Sequence, residues 1–530
     1  MAYHTNVYLF LFLPAALVTY QLAPRKRRWM VLLGYSYLFF FVFSKKLILC
    51  LIGTTLLIHY VGIWLSQLKQ SCRREQSEHQ DIEKAAIRRK YRKWERCMLA
   101  GGILALLAVL AYLKYYNFFA QNMNVMLEEA GKQAVLPVRS LVLPIGISFY
   151  TLQAIGYMAD VYWEKIPAEL HLGKLALFLG FFPQLMEGPI CRYSDTADAL
   201  MMGEPISDKN LTQGCMRILW GLFKKMIIAD RLSVLVGGVF DHYESYGGIV
   251  VAVAAAAYTV QLYMEFSGCM DIVLGSGKIF GICLPENFRQ PFVSRNPAEF
   301  WRRWHITLGT WLKTYIFYPV SVSGAVKKWN QFGRKHLGKY GTRIGTTILV
   351  LFPVWLGNGL WHGARWSYLF YGMYYFVLLV LSTAVEPVRN RLVKVFQIRE
   401  DAWYWRGLQI GKTWIIILVG EMFFRANGLK AGIHMFLSIF RQMELEKLWD
   451  GTLLGFGLDR GDFLVILAGC VIVGMVGKYK EKNKTGLSEK VERLPLPGRW
   501  LVYYSLLLAV VTLGAYGEGY QQVDLIYAGF

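Results

Sequence analysis

Apolar runs of about 20 residues, enough to cross a hydrocarbon core of about 30 Å, recur along nearly the whole of this 530-residue chain. With 55% hydrophobic, 15% aromatic and only 18% charged residues, a chain of this length is too apolar for a water-soluble protein and reads as an all-α polytopic membrane protein. About 11 to 13 spanning or re-entrant helices are expected at this density of apolar runs. They are expected to form a single integral membrane domain over 1–530, with N-terminal helices to 140, a core over 141–426 and C-terminal helices over 427–530.

The net charge of +22 could suggest nucleic acid. The Lys and Arg residues, however, cluster in particular inter-helix loops, as the positive-inside bias requires, and nucleic-acid binding is excluded on that ground. Eight cysteines stand singly, several within apolar runs, with no CxxC, which fits neither a disulfide scaffold nor a zinc site. The first run, 7–22, has no basic segment before it and is followed by Arg25, Lys26, Arg27 and Arg28. It is therefore expected to stay as a first helix, with its N-terminus extracytoplasmic and the basic turn in the cytoplasm.

Helices are expected near 29–43, 47–65 and 98–114, with the charged stretch 67–96 between the last two as a cytoplasmic surface helix. The segments LGKLALFLGFFPQLMEGPICRY and GCMRILWGLFKKMIIADRL read as broken helices, tolerated at membrane depth only against protein or a wet cavity. Helices over 248–266 and 269–283 lead into the stretch 296–363, and apolar segments follow near 367–383, 412–424, 431–440, 463–476 and 501–516.

The stretch 296–363 carries the candidate chemistry. Asn296, Pro297 and Glu299 make a helix start, with an Asn cap, a first-position proline and an acid three residues on. Trp301, Trp304, Leu308, Trp311, Tyr315 and Tyr318 then fall on one stripe, flanked by Arg302, Arg303 and Lys313, which reads as an interfacial helix carrying His305. A basic, acid-free loop from Lys327 to Arg343 is placed in the cytoplasm, and 344–361 returns into the membrane. A straight helix rises 1.5 Å per residue, so His362 is expected roughly 25–30 Å from the cytoplasmic face. A titratable side chain there is expensive, and burial keeps an imidazole neutral and ready to accept a proton. Gly357, Gly359 and Gly363 leave room for a backbone or an acyl group, and Asn358, one turn before His362, is placed to bond the ring. The candidates are thus His362 and His305 for chemistry, with Asn358, Trp361, Trp304, Arg302 and Arg303 for substrate binding.

No metal site is expected, because HExxH and related spacings are absent. No GxSxG elbow occurs, and the GSGK at Gly275 to Lys278 lacks phosphate-loop spacing. Asp160, Glu187, Lys224, Lys225, Asp230, Glu265, Asp271, Glu421 and Arg425 are ionisable within apolar runs. Such residues read mainly as helix-registering pairs, with Lys225–Asp230 and Glu421–Arg425 close enough for local pairing.

FWRRWHITLGTWL, GLWHGARW, GLFKKMIIADRL, QLYMEFSGCMDI, FPQLMEGPICRY, EMFFRA and the terminal LIYAGF together resemble the membrane-bound O-acyltransferase family, in its branch that serves bacterial alginate O-acetylation. The resemblance implies a ring of helices around a central funnel, with the family's essential histidine at His362 and a second at His305. It also implies an acyl group, acetyl in that branch, taken from a cytoplasmic coenzyme A ester or a phosphopantetheine carrier protein used as substrate, with no tightly bound cofactor. The acceptor would be a hydroxyl of an extracytoplasmic polysaccharide or cell-wall polymer, reached directly or through a separate extracytoplasmic acetyltransferase. The location implied is the bacterial plasma membrane. D-alanyl transfer to teichoic acid remains an alternative within the family. A transporter or flippase is the alternative of another class, although no inverted repeat is visible.

Overall fold

The computed structural model describes residues 2–441, 443–483 and 487–516. The LIYAGF motif lies outside the described residues. Among those described, every regular element is helical, and eight spans are long and apolar enough to cross a membrane. The larger number expected from the sequence also counted shorter apolar segments, such as Val7–Leu22 and the re-entrant pieces. The chain forms two compact units, one of residues 1–215 and 273–285, the other of 216–272 and 286–530.

In the first unit the stretch expected as a surface helix is instead the continuation of two long helices, Ile48–Glu78 and Asp81–Leu110, which turn at His79 and Gln80. The charged residues of 67–96 have good helix propensity and contain no breaker, so nothing stops either helix at the apolar boundary. The break in LGKLALFLGFFPQL is real. Helix Leu172–Gly180 ends at Phe181, and a short Phe182–Leu185 turn follows. Its freed backbone groups are bonded: Ser36 Oγ accepts from Phe182 N at 3.1 Å, and the Tyr3 hydroxyl donates to Phe182 O at 2.7 Å while accepting from Met186 N at 3.0 Å. This is the condition under which irregular backbone survives away from water.

In the second unit two expectations are revised. GCMRILWGLFKKMIIADRL is not broken but passes from an α-helix into a wide π turn, Phe223–Ala229, and on into Asp230–Asp241. Residues 248–266 and 269–283 are not two helices, because Gly248–Ile279 is continuous through Ser267 and Gly268. Gly268 serves close packing there. A Cβ on Gly221 would lie 2.4 Å from Gly268 O, and one on Gly268 would lie 2.8 Å from Gly221 O. The glycine pair lets two backbones touch, the small-residue packing typical of membrane helices.

That contact carries a row of charges, buried at Asp271 and Lys224 and opening to the surface at Glu286. Asp271 pairs with both Arg217 and Lys224, Arg217 holds Glu286 through two bonds of 2.8 and 2.7 Å, and Lys224 donates to Ser267 Oγ at 3.0 Å. Lys225 pairs with Asp230 at 2.5 Å, as the sequence spacing suggested. Glu421 and Arg425 do not pair. Glu421 accepts from the Tyr371 hydroxyl at 3.0 Å, whereas Arg425, at the end of its helix, reaches Asp241 at 3.0 Å.

Candidate active site

The candidate residues lie in the second unit. Asn296 caps helix Pro297–Arg303 by accepting from Glu299 N at 2.8 Å, as its residues predict. The aromatic stripe does not continue on one helix, because the helix stops at Trp304 and resumes as Ile306–Leu312. Between the two, His305 has φ 44° and ψ 53°, a left-handed conformation that costs a non-glycine residue about 1–2 kcal/mol. An antiparallel segment holds it there: Asn287 O accepts from Ile306 N at 2.9 Å and Arg303 O accepts from Arg289 N at 2.9 Å.

The break divides the stripe. Trp301 turns toward Trp355 and Tyr375, with ring centroids 5.1 and 4.9 Å away. Trp304 packs among Phe288 and Phe300 at 5.1 and 5.3 Å. Trp304 and Trp311 are 3% and 8% exposed, so these rings are core rather than headgroup anchors. The helix break, which no 3–4 spacing reveals, is what turns them inward.

His362 is the last residue of helix Gly338–His362, which carries Pro353 and ends where Gly363 takes φ 152°. The acid-free stretch before it is not a loop but the basic helix Gly324–His336. Gly359 admits backbone rather than ligand, since a Cβ there would lie 2.7 Å from Tyr368 O. The next helix, Trp366–Val395, is thereby pressed against the His362 turn.

The sequence places the two histidines at opposite ends of a long path, but the structure packs both against one indole. Trp361 lies edge-to-face with His305 at 5.3 Å and with His362 at 5.0 Å. His362 is 3% exposed and does not face lipid, and Phe424 and Tyr371 meet its ring nearly perpendicularly at 5.0 and 5.8 Å. His305 is 2% exposed, against Phe266 at 5.0 Å, and burial pushes its imidazole down to about 3, so it is neutral at physiological pH.

Of the expected binding residues, Trp361 is brought to both rings. Asn358 is buried beside them on the same helix, but it does not bond His362, and its Nδ2 has no hydrogen-bond partner among the described residues. Arg303 is committed to Glu299 at 3.0 Å and Glu481 at 2.6 Å, while Arg302 is exposed. Sequence reasoning missed Asn287, whose Oδ1 lies 3.2 Å from His305 Nδ1, as well as Tyr371. The signal available for Asn287 was a polar, proline-bracketed stretch, 285–296, with no helical pattern. Among the described residues no group of three or more His, Cys, Asp or Glu side chains is placed to hold a metal. A separate concavity of about 820 Å³ along helix Trp403–Arg425, lined by Trp403, Tyr404, Leu408 and Ile415 among others, contains none of these groups.

A multi-pass helical membrane protein with two buried imidazoles on one indole is thus the class that the fold and site define. A family model described as the membrane-bound O-acyltransferase family matches residues 164–333. A protein of Pseudomonas putida described as a probable alginate O-acetylase is 32% identical over 447 residues, covering 83% of this chain and 80% of that protein. A peptidoglycan O-acetyltransferase of Helicobacter pylori is 27% identical over 475 residues, covering 82% and 79%. A teichoic acid D-alanyltransferase of Bacillus subtilis is 28% identical over 257 residues, covering 47% and 61%. The chain belongs to the membrane-bound O-acyltransferase family and is a membrane O-acyltransferase.

Proposed function

We propose that this protein moves an acetyl group from a cytoplasmic thioester to a hydroxyl of an extracytoplasmic cell-envelope polysaccharide, with His362 as the general base. The observation that carries the reading is the packing of His305 and His362 against Trp361, inside the protein and within one helical turn of Asn358.

In this mechanism a ring nitrogen of His362 takes the acceptor's hydroxyl proton as that oxygen attacks the thioester carbonyl. The C–O bond forms, the C–S bond breaks, and the departing thiolate takes the proton back from His362. The products are an ester and a free thiol, and the imidazole is neutral again. Asn358 and His362 are four residues apart and so share one helix face. A buried amide N–H without a partner is the donor an oxyanion needs, and Asn358 Nδ2 is assigned that role. His305 orients substrate from the other edge of the indole. Exposed Arg302 and the basic helix Gly324–His336, whose last turn carries Arg334 and Lys335, attract an anionic donor such as a coenzyme A ester or a phosphopantetheine carrier. Residues 141–426 form the catalytic core of this reading, with the protein in the bacterial plasma membrane, its N-terminus outside, and a separate extracytoplasmic acetyltransferase or acceptor protein as partner.

Acetyl is preferred over D-alanyl because the O-acetylating relatives align over most of the chain, whereas the D-alanyl relative aligns over 47% of it. The test is base-labile acetate on envelope polysaccharide from a deletion strain carrying wild-type protein or His362→Ala. Loss of the acetate with undiminished membrane expression is expected. Full acetylation by the variant would remove His362 from the reaction, and base-labile alanine in its place would select the D-alanyl reading.

A further inference from the structure

Asn287 Oδ1 accepts from Thr307 N at 3.0 Å, from Thr307 Oγ1 at 3.0 Å, and lies 3.2 Å from His305 Nδ1. The backbone N–H of Thr307 can only donate, so the Asn287 atom it meets is the carbonyl oxygen rather than the amide nitrogen. A carbonyl oxygen has no proton to give, so the bond to His305 must use a proton on Nδ1. A neutral imidazole carries one N–H, which leaves the lone pair on Nε2. We propose that Asn287 is a positioning residue that locks His305 with its proton on Nδ1 and so presents Nε2 as a hydrogen-bond acceptor for an N–H or O–H of the substrate.

The clamp is built from both parts of Asn287. Its side chain fixes the ring, and its backbone oxygen accepts from Ile306 N at 2.9 Å, holding the left-handed turn at His305 open. The far side of the same amide is occupied too, with Nδ2 3.4 Å from Met270 Sδ, so a flipped amide would lose these contacts. Asn287, Phe266 and Trp361, which pack on the ring, carry no charge. A neutral ring with its lone pair on Nε2 cannot hand over a proton there. Nor is it a good place to leave one, because burial disfavours the imidazolium, so His305 is assigned to orientation and the proton of the proposed reaction to His362. The candidates for the bonded group are an amide N–H of a pantetheine-type arm and the acceptor hydroxyl. The inference rests on the reading that His305 faces substrate.

Solid-state NMR of the full chain in lipid, labelled with 15N-histidine, reads the tautomer directly once the His305 signals are located by difference from His305→Ala. A protonated Nδ1 with a bare Nε2 is expected; an Nε2–H ring, or a doubly protonated one at neutral pH, overturns the proposal. In membrane vesicles with acetyl-coenzyme A as the probe, Asn287→Ala should lower kcat/KM about 10–100-fold, the scale on which partners that orient a functional imidazole act. Asn287→Asp keeps the acceptor and should restore part of that loss. Its carboxylate favours the imidazolium, so the acid limb of its pH profile should move to higher pH. Wild-type kinetics in Asn287→Ala would overturn the proposal, as would an Asn287→Asp variant with no recovery and no shift. A larger rise in KM for acetyl-coenzyme A than for the acceptor polymer would assign the bond to the donor arm, and the reverse would assign it to the hydroxyl. Wild-type turnover by His305→Ala would instead remove the underlying reading, whatever tautomer the NMR shows.

Discussion

Two buried polar regions of the second unit follow opposite rules. Along helix Gly248–Ile279, Asp271 sits between Arg217 and Lys224, Lys224 also has Ser267, and Arg217 also has Glu286, so each charge meets an opposite charge. Around Trp361 the polar groups are wrapped in aromatic rings instead. Among the described residues, Glu421 Oε1 has the Tyr371 hydroxyl but Oε2 has no hydrogen-bond partner, and Asn358 Nδ2 has none. Burying a polar group without a partner costs about 1–3 kcal/mol, so leaving Glu421 Oε2 and Asn358 Nδ2 without one, while Asp271, Arg217 and Lys224 are each paired, lowers stability selectively around Trp361. The first region holds helices together; under the proposed function, the second keeps its bonding capacity for substrate.

The strongest way to break this contrast is to remove one group from each side. His362→Ala should reduce acyl transfer about 10²–10⁴-fold, the contribution of a positioned general base, with thermal stability in detergent close to wild type. Asp271→Ala should do the reverse. It strands Lys224 as a buried cation at about 3–5 kcal/mol, while Arg217 keeps Glu286, so the yield of folded protein on size exclusion should collapse. Whatever remains folded should turn over normally. If Asp271→Ala folds well but is inactive, the ion-pair row belongs to the chemistry and the contrast fails. Asn358→Ala should fall on the catalytic side, with a rate loss of about 10²–10³-fold from a missing oxyanion donor and no drop in melting temperature, because Nδ2 gives up no bond in the resting protein.

How much of this the sequence exposes depends on the range of the forces involved. Helix existence was legible because it follows from local apolar runs. So was the Asn296 cap, which needs only four residues, and the Lys225–Asp230 pair, which is five apart. His362 stood out because a lone imidazole ending a membrane-length run is improbable without a use. What failed depended on contacts distant in sequence. Gly268 read as a helix break because its partner, Gly221, is nearly fifty residues earlier, and only their contact shows the glycine to be packing. The turn at His305 was invisible because Asn287, which holds it, lies in a stretch with no periodicity. The local rule that pairs residues four apart on a helix also misassigned Glu421 and Arg425. One faces an aromatic interior and the other the end of its helix, and the tertiary partners Tyr371 and Asp241 are closer than the local one.

That last misassignment yields the two smallest tests. Tyr371→Phe removes the donor to Glu421 Oε1 while leaving the ring against His362, so it should lower stability by about 1–3 kcal/mol through an unsatisfied buried acceptor. Glu421→Gln in the Tyr371→Phe background tests the pair itself, and a coupling energy near zero in a double-mutant cycle on melting temperature would show that the two groups do not share this bond. Arg425→Ala should matter least. Its pair with Asp241 is partly solvated, with 31% and 57% of the two side chains exposed, and pairs of that kind are worth about 0–1 kcal/mol. Salt separates this from any role at the site. Raising ionic strength should erase the small difference between Arg425→Ala and wild type, because screening removes an exposed pair that the substitution has already removed. A deficit in Arg425→Ala that persists in high salt, or that appears in turnover rather than in melting temperature, would place this arginine with the aromatic cluster beside His362 and blur the line between the two regions.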